Sequence, residues 1–186
     1  MQFLRFGRSR AAFEQLMLPQ LDAAYSLARW LLRRPEDAED AVQEAYLRAL
    51  KGFAGYAGGD PRSWLLAIVR NACYSALRRR AAMENVIVLS DAIDRLEAVD
   101  PDINSLPDRN LERKQASAHL HAILDALPPI HREVLVLREI EEMSYREIAR
   151  VIGAPVGTVM SRLARAREQL AERLESPQAR ERGGGR

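Results

Sequence analysis

A chain of 186 residues can bury one core or two small ones, and 47% hydrophobic with 29% charged residues excludes a disordered or fibrous polymer. A net charge of +2 excludes a protein that holds nucleic acid by bulk charge alone, and a single cysteine excludes an intramolecular disulfide, which fits a reducing cytoplasm. With no apolar run long enough to span a bilayer and no signal-peptide core at the N-terminus, a cytoplasmic protein without membrane insertion is expected.

Residues 1–11 are basic and unpatterned, and read as an N-terminal arm. From Ala12 to Leu32, Phe13, Leu16, Met17, Leu21, Ala24, Tyr25, Ala28, Leu31 and Leu32 recur at helical spacing and predict one amphipathic helix. Pro35 interrupts the pattern. A second helix, from about Glu36 to Phe53, is expected to bury Ala38, Ala41, Val42, Ala45, Ala49, Leu50 and Phe53 and to expose Asp37, Asp40, Gln43, Glu44 and Arg48. The helix dipole accounts for acids in the first turn, Glu36 and Asp37 among them. It does not account for Glu44, well inside the helix.

Residues 54–60, AGYAGGD, form a glycine-rich loop, with Asp60 as N-cap and Pro61 as first residue of a third helix. That helix, residues 61–82, is expected to bury Trp64, Leu65, Ile68, Val69, Ala72, Cys73, Ala76 and Leu77. Its other side shows Arg62, Arg70, Asn71, Tyr74, Ser75 and Arg78, next to Tyr56 in the loop. Arginines that track phosphates beside an aromatic that stacks on a base make a single-strand binding surface. Composition alone describes an ordinary solvated helix face equally well.

Residues 83–116 change character: Glu84, Asp91, Asp94, Glu97, Asp100, Asp102, Asp108 and Glu112 outnumber Arg95, Arg109, Arg113 and Lys114. Asp-Pro at 100–101 and Leu-Pro at 106–107 discourage a continuous helix, so this stretch reads as a flexible acidic linker with a short helix near 91–98. VIVL at 86–89 is the one candidate strand. The C-terminal domain, residues 117–175, opens with a helix marked by Leu120, Ile123, Leu124 and Leu127 that stops at Pro128-Pro129. Ile130, Val134, Leu135, Leu137 and Ile140 mark the next.

Ser144 and Glu147 form a capping box that starts a helix with Ile148, Ala149 and Ile152 on its apolar side. Gly153 suits a left-handed C-terminal residue, and Pro155 opens a second helix. There Val156, Val159, Leu163, Ala166, Leu170 and Leu174 share one face and Thr158, Ser161, Arg162 and Arg165 another. Two short helices around a tight glycine turn, the second with a small-polar and arginine face, make a helix-turn-helix fit for the DNA major groove. The tail, residues 176–186, is polar and expected to be disordered.

No catalytic constellation is present in the sequence. His119 and His121 are two apart and cannot form an i, i+4 metal pair, and His131 stands alone. There is no phosphate loop, so no cofactor, metal or enzyme activity is expected.

AEDAVQEAYLRAL (38–50) with GGDPRSWLLAIVRNACYSALRRR (58–80), and LPPIHREVLVLREIEEMSYREIARVIGAPVGTVMSRLARAREQL (127–170), resemble the two domains of bacterial sigma factors of the extracytoplasmic-function group, in that group's order and spacing. The resemblance implies an all-α protein of two small helical domains: a region 2-like domain at 12–82, a linker at 83–116 and a region 4-like helix-turn-helix domain at 117–175. It implies a dissociable subunit of RNA polymerase, with Asp40, Gln43, Glu44 and Arg48 at the positions that dock on the clamp helices of the largest polymerase subunit, and a second contact at the polymerase flap. It implies capture of the −10 non-template strand by Tyr56, Gly58, Gly59, Asp60, Asn71, Tyr74, Arg78 and Arg79. Reading of the −35 element falls to Thr158, Ser161, Arg162 and Arg165, with Arg146 or Arg167 on phosphates. An anti-sigma factor is an expected partner, and the acidic linker is expected to thread towards the RNA exit path. Two positions depart from the group's pattern: Met160 stands where many members carry Lys or Arg, and Ser75 where many carry Asp. The competing readings are a stand-alone helix-turn-helix regulator, for which no heptad repeat offers a dimer surface, and a pure protein-interaction module.

Overall fold

The computed structural model describes the backbone of residues 2–88 and 122–182 and the side chains of 10–83 and 122–174. Among these residues every regular element is helical. Helix α1 spans Gln2–Met17, α2 Leu21–Leu32, α3 Pro35–Gly52 and α4 Pro61–Val88. After a helical turn at 122–125 come α5, Pro129–Leu135, a π-helical turn at Val136–Ile140, then α6, Tyr145–Ile152, and α7, Val156–Arg182.

The N-terminal arm is instead helical from Gln2, in keeping with the helix-forming residues that dominate the segment. The expected single helix over 12–32 is two. Pro19 has no N–H to continue an α-helix, and the chain takes a 3₁₀ turn over Leu18–Gln20 before α2 begins. As a result Leu16, Leu18, Leu21 and Tyr25 are exposed, while Ala23 and Leu27 join Phe13, Met17, Ala24, Ala28, Leu31 and Leu32 in the core. Leu50, expected inside, is also exposed. Arg33 closes α2 at φ 68°, and the proline at 35 keeps Arg34 extended so that α3 starts at once.

Residues 86–88 of the VIVL run are helical and form no strand. They continue α4, because extending an existing helix adds a hydrogen bond per residue whereas a β-branched strand needs a partner. The linker expected from 83 therefore starts no earlier than 89, and residues 89–121, including the short helix read near 91–98, lie outside the described residues. Similarly α7 carries the tail on to Arg182, whose residues after Pro177 are good helix formers.

Helices α2, α3 and α4 pack on one another around Leu27, Leu31, Ala38, Ala41, Ala45, Leu65, Val69 and Ala72, with Phe13 and Met17 of α1 beneath. Alanines on α3 let its backbone come close to α2 and α4. The second unit centres on Leu127, Val134, Leu137, Ile148, Val159, Leu163 and Ala166, all at most 1% exposed. The two units touch: α6 lies on α4 and α5 on α2, so their buried apolar residues form one cluster. Arg132 pins this contact, donating to the carbonyls of Leu124, Asp125 and Leu127 and, across the units, to Trp30 O at 2.8 Å. Burial and the charge of Arg33 pull its pKa down to about 10, which leaves it protonated at neutral pH.

Candidate functional site

Three surfaces carry the polar chemistry. On α3, Asp40, Gln43 and Arg48 are exposed and Glu44 is half-buried. Glu44 accepts from Arg48 Nη2 at 2.5 Å, one turn on, and lies 3.6 Å from Arg79 Nη2 of α4. Asp37, Asp40 and Glu44 thus form one wall of a groove whose other wall is Arg79, Arg80 and Met83, over a floor of Leu32, Ala41, Ala76 and Leu77. A groove with acids on one wall, arginines on the other and an exposed methionine at its rim suits another protein's helix.

At the start of α4 the loop is built on aromatics. Tyr56 stacks on Phe53 with centroids 5.7 Å apart and 13° between planes, and lies 5.1 Å from Trp64. Its hydroxyl donates to Gly59 O at 2.8 Å. Gly58 and Gly59 turn the chain at φ 89° and 101°, a region closed to most side chains. Asp60 then caps α4, accepting from the N–H groups of Arg62 and Ser63 at 3.1 Å each and from the Ser63 hydroxyl. Burial pushes the Asp60 pKa up, but the Ser63 and Arg62 hydrogen bonds and the charge of Arg150, 3.8 Å away, outweigh it and hold the carboxyl below its ordinary value. Further along α4, Ser75 donates to Asn71 O and accepts from Arg78 Nη2 at 3.1 Å, so the serine holds Arg78 along the exposed helix edge.

The third surface is the turn between α6 and α7. Ser144 Oγ accepts from the Glu147 N–H while Glu147 accepts from the Ser144 N–H, the full capping box. Gly153 ends α6 in the left-handed region at φ 64°. On α7, Ser161 and Arg165 are exposed, Thr158 is half-buried, and Met160 is exposed among them. Arg146 is exposed on α6, and Arg167 pairs with Glu139 at 2.7 Å.

The family model described as Sigma-70 region 2 matches residues 17–83, and that described as Sigma-70, region 4 matches residues 118–170. The chain is 35% identical over 163 residues to the ECF RNA polymerase sigma factor SigE of Mycolicibacterium smegmatis, covering 88% of this chain and 62% of that protein. With the RNA polymerase sigma-H factor of Pseudomonas aeruginosa it shares 32% over 170 residues, covering 89% of this chain and 88% of the relative. This chain belongs to the extracytoplasmic-function sigma factors of the sigma-70 family.

Among solved structures, the sigma factor RpoE of Bartonella quintana, in complex with the anti-sigma factor NepR, superposes with TM-score 0.67 at 28% identity over 88% of this chain and 97% of that one. CnrH, solved in complex with the cytosolic domain of CnrY, shares the fold, with TM-score 0.61 at 24% identity over 92% of this chain and 95% of that one.

In this sigma factor Asp40, Gln43, Glu44 and Arg48 all lie on α3. The residues assigned to the −10 element separate. Asn71 and Arg78 are exposed, but Arg79 turns to the groove between α3 and α4, and Tyr56 is held against Phe53 and Gly59. Tyr74 is turned inward: the Arg70 guanidinium sits 4.4 Å from its ring, and burial with the nearby Glu133 carboxylate pushes its hydroxyl pKa up. The Arg62 and Arg70 side expected to face solvent meets the second domain instead. Arg62 pairs with buried Glu141, and Arg70 makes two hydrogen bonds to Glu133, at 2.6 and 3.1 Å. Arg162 is likewise drawn to Glu133, at 3.0 Å, and away from the open face of α7. Periodicity reports one burying face per helix and had no means to reveal a second helix-to-domain contact. The one available signal was a charged Arg132-Glu133 pair inside an apolar run.

Proposed function

We propose that this chain is a dissociable initiation subunit that binds core RNA polymerase through α3 and directs it to promoters by a −10 and a −35 element. The observation that carries the reading is that one chain holds both a polar stretch of α3, with Asp40, Gln43 and Arg48 exposed and Asp40 and Glu44 lining a groove against α4, and a helix-turn-helix with Ser161 and Arg165 exposed on its second helix. The clamp helices of the largest polymerase subunit are the occupant of that groove, and the flap is the second contact. Tyr56, Gly58, Gly59, Asp60, Asn71, Tyr74, Arg78 and Arg79 are the −10 set, and Arg146, Thr158, Ser161, Arg162, Arg165 and Arg167 the −35 set. The chain itself is not an enzyme; catalysis belongs to the polymerase.

It works in the cytoplasm, which accords with the absence of any helix long and apolar enough to cross a membrane among the described residues. Its regulator is an anti-sigma factor, as the Bartonella relative's complex with NepR supports. The test is run-off transcription with purified core enzyme on promoter fragments from the native host. Promoter-specific transcripts that require this chain are expected, and identical initiation with and without it overturns the reading.

A further inference from the structure

Met160 is 54% exposed on α7, and its neighbours one turn away, Val156, Gly157 and Ala164, are exposed too. Helical spacing puts these four on one flank of the helix. Ser161 and Arg165 are exposed beside them, while Val159, Leu163 and Ala166 are buried on the inner side. The longest side chain on the flank is thus a thioether standing between two small residues. Gly157 is not small for the fold's sake, since its backbone is helical and a Cβ there would meet nothing within 4 Å. Glycine weakens a helix relative to alanine, so what it provides here is room for a surface approaching from outside.

The chemistry of the flank says which surface. Met160 has no hydrogen to donate and only a weakly accepting sulfur, so it cannot read the donor and acceptor pattern of a base edge. The major groove offers one apolar group, the C5-methyl of thymine. An unbranched, polarisable side chain packs on such a methyl without demanding one fixed geometry.

We infer that Met160, backed by Val156, is a specificity-determining residue that packs on the C5-methyl of one thymine in the −35 element, in the room left by Gly157 and Ala164. The inference rests on the proposed function in taking α7 as the helix that enters the groove, and it names a base selected there. Ser161 and Arg165 supply the polar part of the readout and Met160 the apolar part. The methyl lies on one side of its base pair, so the contact separates T·A from A·T as well as from both orientations of G·C.

The test uses the full chain with core RNA polymerase on a promoter fragment from the native host. Each thymine of the −35 element, in either strand, is replaced in turn by deoxyuridine, which lacks only the methyl. With the parent chain, one position should lose about fourfold in run-off transcription at limiting holoenzyme, the worth of one buried methyl. Met160→Ala should lose at least as much on the unsubstituted fragment and nothing further at that deoxyuridine, whereas Met160→Leu should keep the sensitivity. Circular dichroism checks that both variants are folded. Full activity of the parent chain at every deoxyuridine overturns the inference. So does a deoxyuridine loss that Met160→Ala leaves unchanged, because another side chain then reads the methyl. A Met160-dependent gain at 5-methylcytosine in place of cytosine, with no deoxyuridine loss, moves the contact to a methylated base and overturns the thymine assignment. Failure of the initiation function looks different: no template gives a transcript, the unsubstituted one included, and the inference falls with it.

Discussion

Arg165 and Arg162 stand one turn apart on α7, yet the fold gives them different circumstances. Arg165 is exposed and free to reach a base edge, whereas Arg162 is bound to Glu133. Arg165→Ala should therefore cost about 1–3 kcal/mol of −35 recognition, read as reduced run-off transcription on a −35-dependent promoter with core-polymerase affinity unchanged. Glu44 is the matching residue on the side proposed for docking. It balances Arg48 and Arg79, so Glu44→Lys reverses an acid between two cations and should weaken core-polymerase binding by about tenfold, chiefly through the association rate at low salt. Equilibrium titration of labelled chain against core enzyme measures it, and unchanged affinity removes α3 from docking. Ser75 and Met160, the two departures from the family's pattern, differ in consequence. Ser75 still positions Arg78 through its hydroxyl, whereas the exposed Met160 offers no charge at its place on α7.

At the scale of elements, the helix-turn-helix depends on its ends. Gly153 adopts φ 64° with open space where a side-chain carbon would go, so Gly153→Ala is penalised by backbone strain alone, about 1–2 kcal/mol, measurable by thermal melting. The caps also make the fold acid-sensitive. Asp60 and Glu147 both titrate below their ordinary values, Glu147 chiefly through its hydrogen bonds with Ser144. A carboxyl with a lowered folded pKa stabilises fully above its unfolded value and loses that contribution as the pH falls through the folded value. Stability should therefore be level from neutral pH down to about 5 and decline below about 4. Helical circular dichroism against pH follows it, and Asp60→Asn should flatten part of that decline.

For the whole molecule, the decisive feature is the seam between domains. Arg132 is 1% exposed and satisfies four carbonyls from both units. Leu124 O keeps the Leu127 N–H and Asp125 O keeps Arg33, but replacing Arg132 by Met takes the donor from Trp30 O and Leu127 O, at about 1–3 kcal/mol for each that water cannot reach. Arg132→Met should lower stability by at least that much and separate one melting transition into two, as the domains lose their shared contact. Differential scanning calorimetry distinguishes this from a single shifted peak.

How much of this was legible beforehand follows from the range of each interaction. Helix periodicity, the Ser144–Glu147 box, the Gly153 terminus and the Asp60 cap are set within a few residues of chain, and each appears where the sequence placed it. So do the acids of α3, since a helix face is fixed by spacing. The break at Pro19 is equally local, but the apolar stripe runs on through it in the sequence and hides it. The fates of Arg70, Tyr74 and Arg162 were not local. Each sits on a face that spacing assigns to solvent, and a carboxylate 63 residues from Arg70 and 29 from Arg162 claims them. A buried charge finds its partner wherever folding brings one, because desolvation makes pairing obligatory and leaves the address unspecified. The sequence thus dictated the faces and caps of most helices and the chemistry each carries; the packing of two domains chose which of those groups face the outside.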